Sequence, residues 1–430
     1  MVVTGRLALC AAAAAPVVAF VLPSWIGVLA MTVVLLILIG VDLLLCPTDA
    51  LEAERIPMTT VRVGATTTID LVVRNRGTGA VRALLWDNWP DSAGAVAKTH
   101  RLRMPPDSTV TLRTTLRPVR RGDRVAGPVT IRSFGPLGMA GRQVHHRVPA
   151  TVRALPPFRT ERILAAEVKR LQQLDGRSVA VLRGAGSEFD SFREYVAGDD
   201  VRSIDWRATA RASDVLVRTW RPERHRQLLL LVDTGRSSAA RLGESPRLDI
   251  MIEAVLLLGA LAAAGGDTVD LLAFDRRVRA ELRGVRGKAV QPKLMHALSG
   301  IVPALVDTDT TAMVRTAIGH TRRRGLVVWF TSLDAAVVEE NLLPVLPVLA
   351  SRHRVLLVSV TDPEIAAAAQ RRDDFAEVCG AAAAEHLLAE RDLVRETLRR
   401  RGIDVVAAAP DRLPEVLAEE YLELKRAGAL

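Results

Sequence analysis

The sequence predicts a multidomain chain: an N-terminal transmembrane helical hairpin, a small β-sandwich, and an α/β domain with a mostly parallel sheet. Three observations predict it. Two apolar runs occupy the first 45 residues, period-two alternation with closely spaced turn residues follows, and beyond residue 226 short apolar strands alternate with helical stretches. A length of 430 residues leaves room for such a division. The expected segments are 1–48 for the hairpin, 55–153 for the sandwich, 158–226 for a linker helix and a charged segment, and 227–430 for the α/β domain.

The first run, 7–22, holds 16 residues and the second, 25–45, holds 21. The second is long enough to cross a hydrocarbon core of roughly 30 Å. Pro23-Ser24 separates the two, so a tight hairpin is expected, with Trp25 at an interface. Asp42, near the end of the second run, is expected to reach the headgroups. A signal peptide is the competing reading of the first run, although no cleavage signal precedes Trp25. Two spans, or a cleaved signal and one span, both leave the rest of the chain on the inner side, and a single uncleaved span would place it outside. Residues 51–150 carry 16 Lys/Arg against 7 Asp/Glu, and the positive-inside rule then puts the soluble domains in the cytoplasm.

Of the net charge of +10, most lies in that stretch. Arg supplies 53 of the 58 basic residues, a bias that reads as genomic base composition and weakens the signal of any one Arg. Neither a helix-turn-helix, a zinc motif nor an RNA-binding signature accompanies the charge, so no nucleic acid is expected as partner. Cys10 and Cys46 lie at or in the apolar region and Cys379 stands alone beyond it, which fits a reducing compartment.

Within the predicted sandwich, 66–73, 110–116 and 129–131 alternate as strands, and Asn75-Arg76-Gly77 makes a turn. Adjacent His145 and His146 point to opposite faces of a strand and read as surface residues. Arg120-Arg121-Gly122-Asp123 and Phe134-Gly135-Pro136-Leu137-Gly138 are turn-like, Leu155-Pro156-Pro157 marks a boundary, and a helix follows over 160–174. The α/β pattern has strands at 227–232, 268–274, 278–282, 326–330, 355–360 and 404–407. Helices are expected at 248–264, 290–299, 311–323, 364–400 and 415–426.

Ligands of open α/β sheets bind beyond the carboxyl ends of the strands. Those ends read Asp233-Thr234-Gly235-Arg236-Ser237-Ser238, Phe330-Thr331-Ser332-Leu333-Asp334 and Thr361-Asp362-Pro363, with the loop Asp307-Thr308-Asp309-Thr310-Thr311 before a helix. Carboxylates and hydroxyls without His or Cys suit a hard cation such as Mg²⁺. The arrangement resembles the von Willebrand factor A fold, whose metal-ion-dependent adhesion site begins Asp-x-Ser-x-Ser. Asp233 and Ser237 match the first and last positions, and Gly235 replaces the middle Ser. The resemblance implies metal ligation by Asp233 and Ser237, with Thr308, Thr310 and Asp334 in the remaining roles. The plainer reading is that Asp233 and the threonines cap helices and turns.

Catalytic readings are weaker. Ser237, His225 and Asp233 form no triad by spacing, because His225 precedes the strand that Asp233 ends, about 20 Å away at roughly 3.3 Å per residue. No Gly-x-Ser-x-Gly elbow and no phosphate-binding loop occurs, and Gly184-Ala185-Gly186 is too bare to be a nucleotide signal.

The densest string of charges and aromatics is 186–211, which shows neither strand nor helix periodicity over its length. Nine Arg and eight Asp/Glu interleave over 183–226, a balance that favours ion pairs over a phosphate-binding patch. Arg202, Arg207 and Arg211 are expected to pair with Glu194, Asp199, Asp200 and Asp205. Phe189, Phe192, Tyr195 and Trp206 are expected to anchor the segment to the core, with a turn at Gly198-Asp199-Asp200. A self-paired cap on the sheet and a docking surface for a partner are both compatible with this string.

Glu188-Phe189, Arg193-Glu194-Tyr195, Gly198-Asp199-Asp200, Arg202, Ile204-Asp205-Trp206 and Ala210-Arg211 resemble, at matching spacing, the signature of the bacterial family called domain of unknown function 58. The resemblance implies two N-terminal spans, a β domain, the signature and a von Willebrand A-like domain, in the bacterial inner membrane. It also implies a MoxR-type AAA+ ATPase as partner, and neither an established reaction nor a small-molecule substrate. The function expected is that of a membrane-anchored, non-enzymatic adaptor. The alternatives are a structural envelope component without an ATPase partner, or a metal-dependent hydrolase of envelope precursors that uses Asp199, Asp200 or Asp205.

Overall fold

The computed structural model describes residues 1–430 apart from 22, 48–49, 57–58, 179–187, 197, 213, 222–225, 321–323 and 428–430. His225 and Gly184-Ala185-Gly186 lie outside the described residues. The chain divides into two compact units, Met1–Pro157 and Phe158–Leu430.

In the first unit, helix Gly5–Val21 contains Pro16 and helix Trp25–Leu44 starts at Ser24, whose hydroxyl accepts from the Gly27 amide at 3.2 Å. Helix Trp25–Leu44 has a mean hydropathy of 2.7 and is long and apolar enough to cross a membrane; its neighbour is apolar and shorter. Val2–Val3 pairs antiparallel with Ala140 and Gly141, on the edge of a five-stranded sheet. The start of the hairpin is thereby bound to the same strand that the end of the hairpin packs beside.

Asp42 departs from expectation. It does not reach outward but is fully buried. One carboxylate oxygen accepts from the amides of Leu137 and Gly138 at 2.8 and 3.3 Å, the other from Met139 and Ala140 at 2.7 and 2.8 Å. The turn Phe134-Gly135-Pro136-Leu137-Gly138 curls around this carboxylate, and a Cβ at Gly135 would collide with it. Four amides satisfy a buried charge that would otherwise be costly.

The five-stranded sheet runs Val2–Val3, Ala140–His146, Val129–Phe134, Val81–Asp87, Thr99–Met104, and a four-stranded sheet runs Leu51–Arg55, Thr67–Asn75, Ser108–Leu116, Ala95–Val96. Alternate residues of both (Leu71, Val73, Leu85, Met104, Ile131) share one core. A third sheet joins Thr59–Arg62, Thr151–Leu155 and Gly122–Val125. Arg55 and Asp87 form a buried ion pair that is fully bonded, since Asp87 also accepts from Trp89 and Thr114.

The second unit is built on a six-stranded mixed sheet in the order Val278–Val285, Thr268–Phe274, Gln227–Asp233, Leu326–Phe330, Arg354–Val360, Asp404–Ala408. Val278–Val285 is the antiparallel edge and the rest are parallel. The central strands are buried on both faces, which explains their continuous apolar runs. Leu229 and Leu231 face a core shared with helix Thr310–His320 and Leu398 of helix Phe375–Arg400. Leu230, facing oppositely, lies beside Gly259 of helix Arg247–Ala264, where a side chain would strike Leu294. Helices Ala335–Val337 and Leu346–Ala350 and the short pair Arg241–Leu242 and Ser245–Pro246 were not legible as elements, being too short to show a period.

The charged segment does contain a strand, contrary to its lack of periodicity. Glu188–Glu194 pairs antiparallel with Leu216–Arg221, and Val217 of the second strand is bridged to Ile204. The register shifts between Phe189 and Ser191, and this irregularity interrupts the alternation that would have revealed the strand.

Candidate functional site

Counted along the chain, the six strands stand in the order 3-2-1-4-5-6. The first and fourth are neighbours, their following connections leave in opposite directions, and a crevice opens between their carboxyl ends. Asp233 ends the first of these strands and Thr331-Ser332 follows the second.

Asp233 is buried, and its carboxylate accepts four hydrogen bonds. Oδ1 takes the Gly235 amide at 2.9 Å and the Thr308 hydroxyl at 2.5 Å; Oδ2 takes the hydroxyls of Ser237 at 2.9 Å and Thr331 at 3.0 Å. Its backbone oxygen accepts from Ser238 at 2.6 Å. Three segments, 235–238, 306–308 and 331–332, are thereby drawn onto one carboxylate. At Gly235 an added Cβ would collide with the Thr308 hydroxyl and lie 2.9 Å from the Val306 oxygen, so the loop closes only over glycine.

The sequence-selected oxygens divide. Asp233, Ser237 and Thr308 meet directly. Thr310 does not join them: its hydroxyl donates to the Asn341 oxygen at 2.8 Å, at the start of helix Thr310–His320. Asp334 lies one step away, its Oδ2 accepting from Ser332 at 2.6 Å. Three residues to which the sequence reading gave no individual role complete the set. Thr331 and Ser332 are two. The third is Arg247, the first residue of helix Arg247–Ala264, whose Nη1 donates to Ser332 Oγ at 2.8 Å and to the Ser237 backbone oxygen at 3.0 Å. It also lies 3.8 Å from Asp334, and Arg391 approaches the same carboxylate at 3.6 Å. Burial pushes the Arg247 guanidinium below its ordinary value, against the opposing pull of Asp334, Asp362 and Asp233.

Mg²⁺ takes a shell of oxygens at near-octahedral geometry. The crevice offers oxygens, but with a guanidinium among them. Among the described residues no three His, Cys, Asp or Glu side chains cluster in a way that could hold a metal ion. Ser237 donates straight to Asp233, and the imagined third triad member, His225, lies outside the described residues.

The signature forms a second candidate site. Arg193 grips Asp199 with two hydrogen bonds at 2.6 and 2.5 Å, and Asp199 also accepts from the Val196 amide at 3.0 Å. Gly198 takes a φ of 113°, a backbone that favours glycine. Asp200 caps a short 3₁₀ turn through the Arg202 amide, and Asp205 caps helix Trp206–Thr209 through the amides of Arg207 and Ala208. Arg218 reaches Asp205 from the return strand at 2.6 Å. The Asp199 carboxyl is held below the usual range first by Arg193, and that of Asp205 first by the Ala208 amide and then by Arg218.

The expected pairing of Arg202, Arg207 and Arg211 is therefore corrected. Asp200 and Asp205 are turned back onto backbone amides, Asp199 is taken by Arg193, and Glu194 is exposed without a cationic partner among the described residues. Among the described residues the three arginines have no carboxylate partner and are exposed. The expected aromatic anchors are corrected as well. Trp206 is 66% exposed, and Phe192 and Tyr195 are also exposed; in the two-stranded pair Val217 takes the buried face, and Phe192, opposite Arg218, is turned to the other. The side chains of Glu188 and Phe189 lie outside the described set, although both residues are in the strand. Arg202, Trp206, Arg207 and Arg218 line an open cavity of about 420 Å³.

Uncharacterized proteins of Mycobacterium tuberculosis and Mycobacterium bovis are 26% identical over 283 residues, covering 60% of this chain and 85% of theirs. Among solved structures, a conserved hypothetical protein, BatB from Bacteroides thetaiotaomicron, is similar at a TM-score of 0.30 and 11% identity, covering 46% of this chain and 98% of its own. A FixG-related protein from Vibrio parahaemolyticus is similar at 0.18 and 10%, covering 25% and 98%. Residues 191–371, from the signature hairpin through the strand-end crevice, match the family described as Protein of unknown function DUF58.

Proposed function

We propose that the chain is a membrane-anchored, non-enzymatic interaction protein that docks a protein partner on its signature. The observation that carries this reading is the exposed Trp206, which lines one open cavity with Arg202 and Arg207, neither of which has a carboxylate partner among the described residues. Beneath them, Arg193–Asp199 and Arg218–Asp205 make a paired, capped scaffold. A large exposed aromatic beside exposed guanidinium groups is what protein interfaces use as an anchor. Its charge calls for a partner with an acidic segment. Asp199, Asp200 and Asp205 are each committed to ion pairing or capping, which supports a docking role over a hydrolytic one.

The partner that the family resemblance points to is a MoxR-type AAA+ ATPase, with this chain presenting clients from the bacterial inner membrane. The strand order and the Asp-x-Gly-x-Ser turn at Asp233 support reading the second unit as von Willebrand A-like. Two-pass anchoring is supported by the way both ends of the hairpin meet one sheet. The net positive charge over 51–150 supports a cytoplasmic body. The test is in-cell photocrosslinking from positions 202, 206 and 207, with adducts identified by mass spectrometry. Recovery of an AAA+ protein through an acidic segment is expected; crosslinks to lipid or to no protein at all would sink the reading.

A further inference from the structure

We propose that Arg247 is the resident cation of the strand-end crevice, a side chain standing where a divalent ion would serve the oxygens of Asp233, Ser237, Ser332 and Asp334. The inference does not rest on the docking role of the signature.

Three independent observations carry it. The first is position. Arg247 opens helix Arg247–Ala264, behind Pro246. The amino end of a helix repels a cation, and a charged side chain is costly to bury. Arg247 is nonetheless only 5% exposed, so something at the site must favour it. The second is its partners. One guanidinium nitrogen bonds the Ser237 oxygen and the Ser332 hydroxyl, and Ser332 relays onto Asp334, so the group links the loops after the first and fourth strands. Asp233, Asp334 and Asp362 all act on it electrostatically. That is the work a metal does in such a crevice: it joins loops and balances carboxylates. The third is Gly235. The adhesion-site pattern has a ligating serine here, but the Thr308 hydroxyl and the Val306 oxygen leave no room for its side chain. The oxygen missing from a metal shell is therefore excluded by packing, and Thr308 is turned onto Asp233 instead.

The full chain, purified in detergent, provides the test. Wild type, Arg247→Gln and Asp233→Asn are melted with chelator or millimolar Mg²⁺, and Mn²⁺ binding is followed by electron paramagnetic resonance. The wild type is expected to melt at the same temperature in both conditions and to leave Mn²⁺ free. Arg247→Gln is expected to melt at least about 5 °C lower, to regain part of that loss in Mg²⁺, and to bind Mn²⁺. Stoichiometric Mn²⁺ binding by the wild type that Asp233→Asn abolishes would overturn the proposal, as would Arg247→Gln that melts like the wild type. Should Arg247→Gln fail to fold, the wild-type Mn²⁺ titration decides alone: free Mn²⁺ supports the proposal and bound Mn²⁺ overturns it.

Discussion

The signature hairpin and the strand-end crevice are built from the same kinds of residue and use them in opposite ways. In the crevice every carboxylate oxygen of Asp233 is engaged, and the nearby guanidinium of Arg247 is enclosed with it. In the hairpin Asp199, Asp200 and Asp205 are likewise engaged, but three guanidinium groups and an indole are left facing solvent. A charge that is balanced inside the fold holds loops together, whereas one left unbalanced at the surface is free to recruit. The difference teaches that charge density alone does not locate a binding surface; the census of pairs does.

Four experiments separate the two roles. The largest effect is expected from Asp233→Ala, which strips four donors of their acceptor and should cost about 3–5 kcal/mol of stability in denaturant unfolding of the second unit. Partner capture per folded molecule should be unchanged, and a loss of capture at full stability would mean the crevice is itself the docking site. Trp206→Ala should do the reverse: about 30-fold weaker capture, roughly 2 kcal/mol, with melting unaltered. Arg202→Glu combined with Arg207→Glu should slow association by about tenfold at low salt and by less at high salt, measured by surface plasmon resonance. A salt-independent effect would assign the arginines a packing role instead.

The smallest effect is set by pH. Asp199 and Asp205 have carboxyls held low in the fold, so the stability they contribute is complete above the unfolded value near 3.9. It is lost as pH falls through the lower folded values. Amide exchange over 193–218, corrected for intrinsic rate, should keep its protection from pH 7 to about 5 and lose it only below about 4. Protection already gone at pH 6 would mean these carboxylates do not hold the hairpin.

Much of this was legible in the sequence, and the boundary is physical. The central strands were legible because burial on both faces demands unbroken apolar runs such as 227–232. Asp233, Ser237 and Thr308 were legible because strand ends in α/β sheets are where polar groups converge. Thr310, expected beside Thr308, does not join it, since a run of hydroxyls does not say which of them faces the crevice. Arg247 carried a signal that went unread: a cation in the first turn of an apolar helix opposes the helix dipole. The arginine pairings were misjudged because Arg218 comes from the return strand and because N-cap carboxylates prefer their own backbone.

The clasp on Asp42 has a consequence for biogenesis. Its acceptor atoms leave the ribosome 95 residues ahead of the first amide they bind. At a synthesis rate of roughly 5–20 residues per second, the carboxylate waits on the order of 5–20 s for its partners. Throughout that interval the second apolar helix ends in an uncompensated charge, and the sheet edge that will receive Val2–Val3 has yet to be made. The pairing of the second helix with its sheet therefore cannot be completed before residue 140 arrives, so a chain truncated before the turn at 137–140 should leave the Asp42 carboxylate without its four amides.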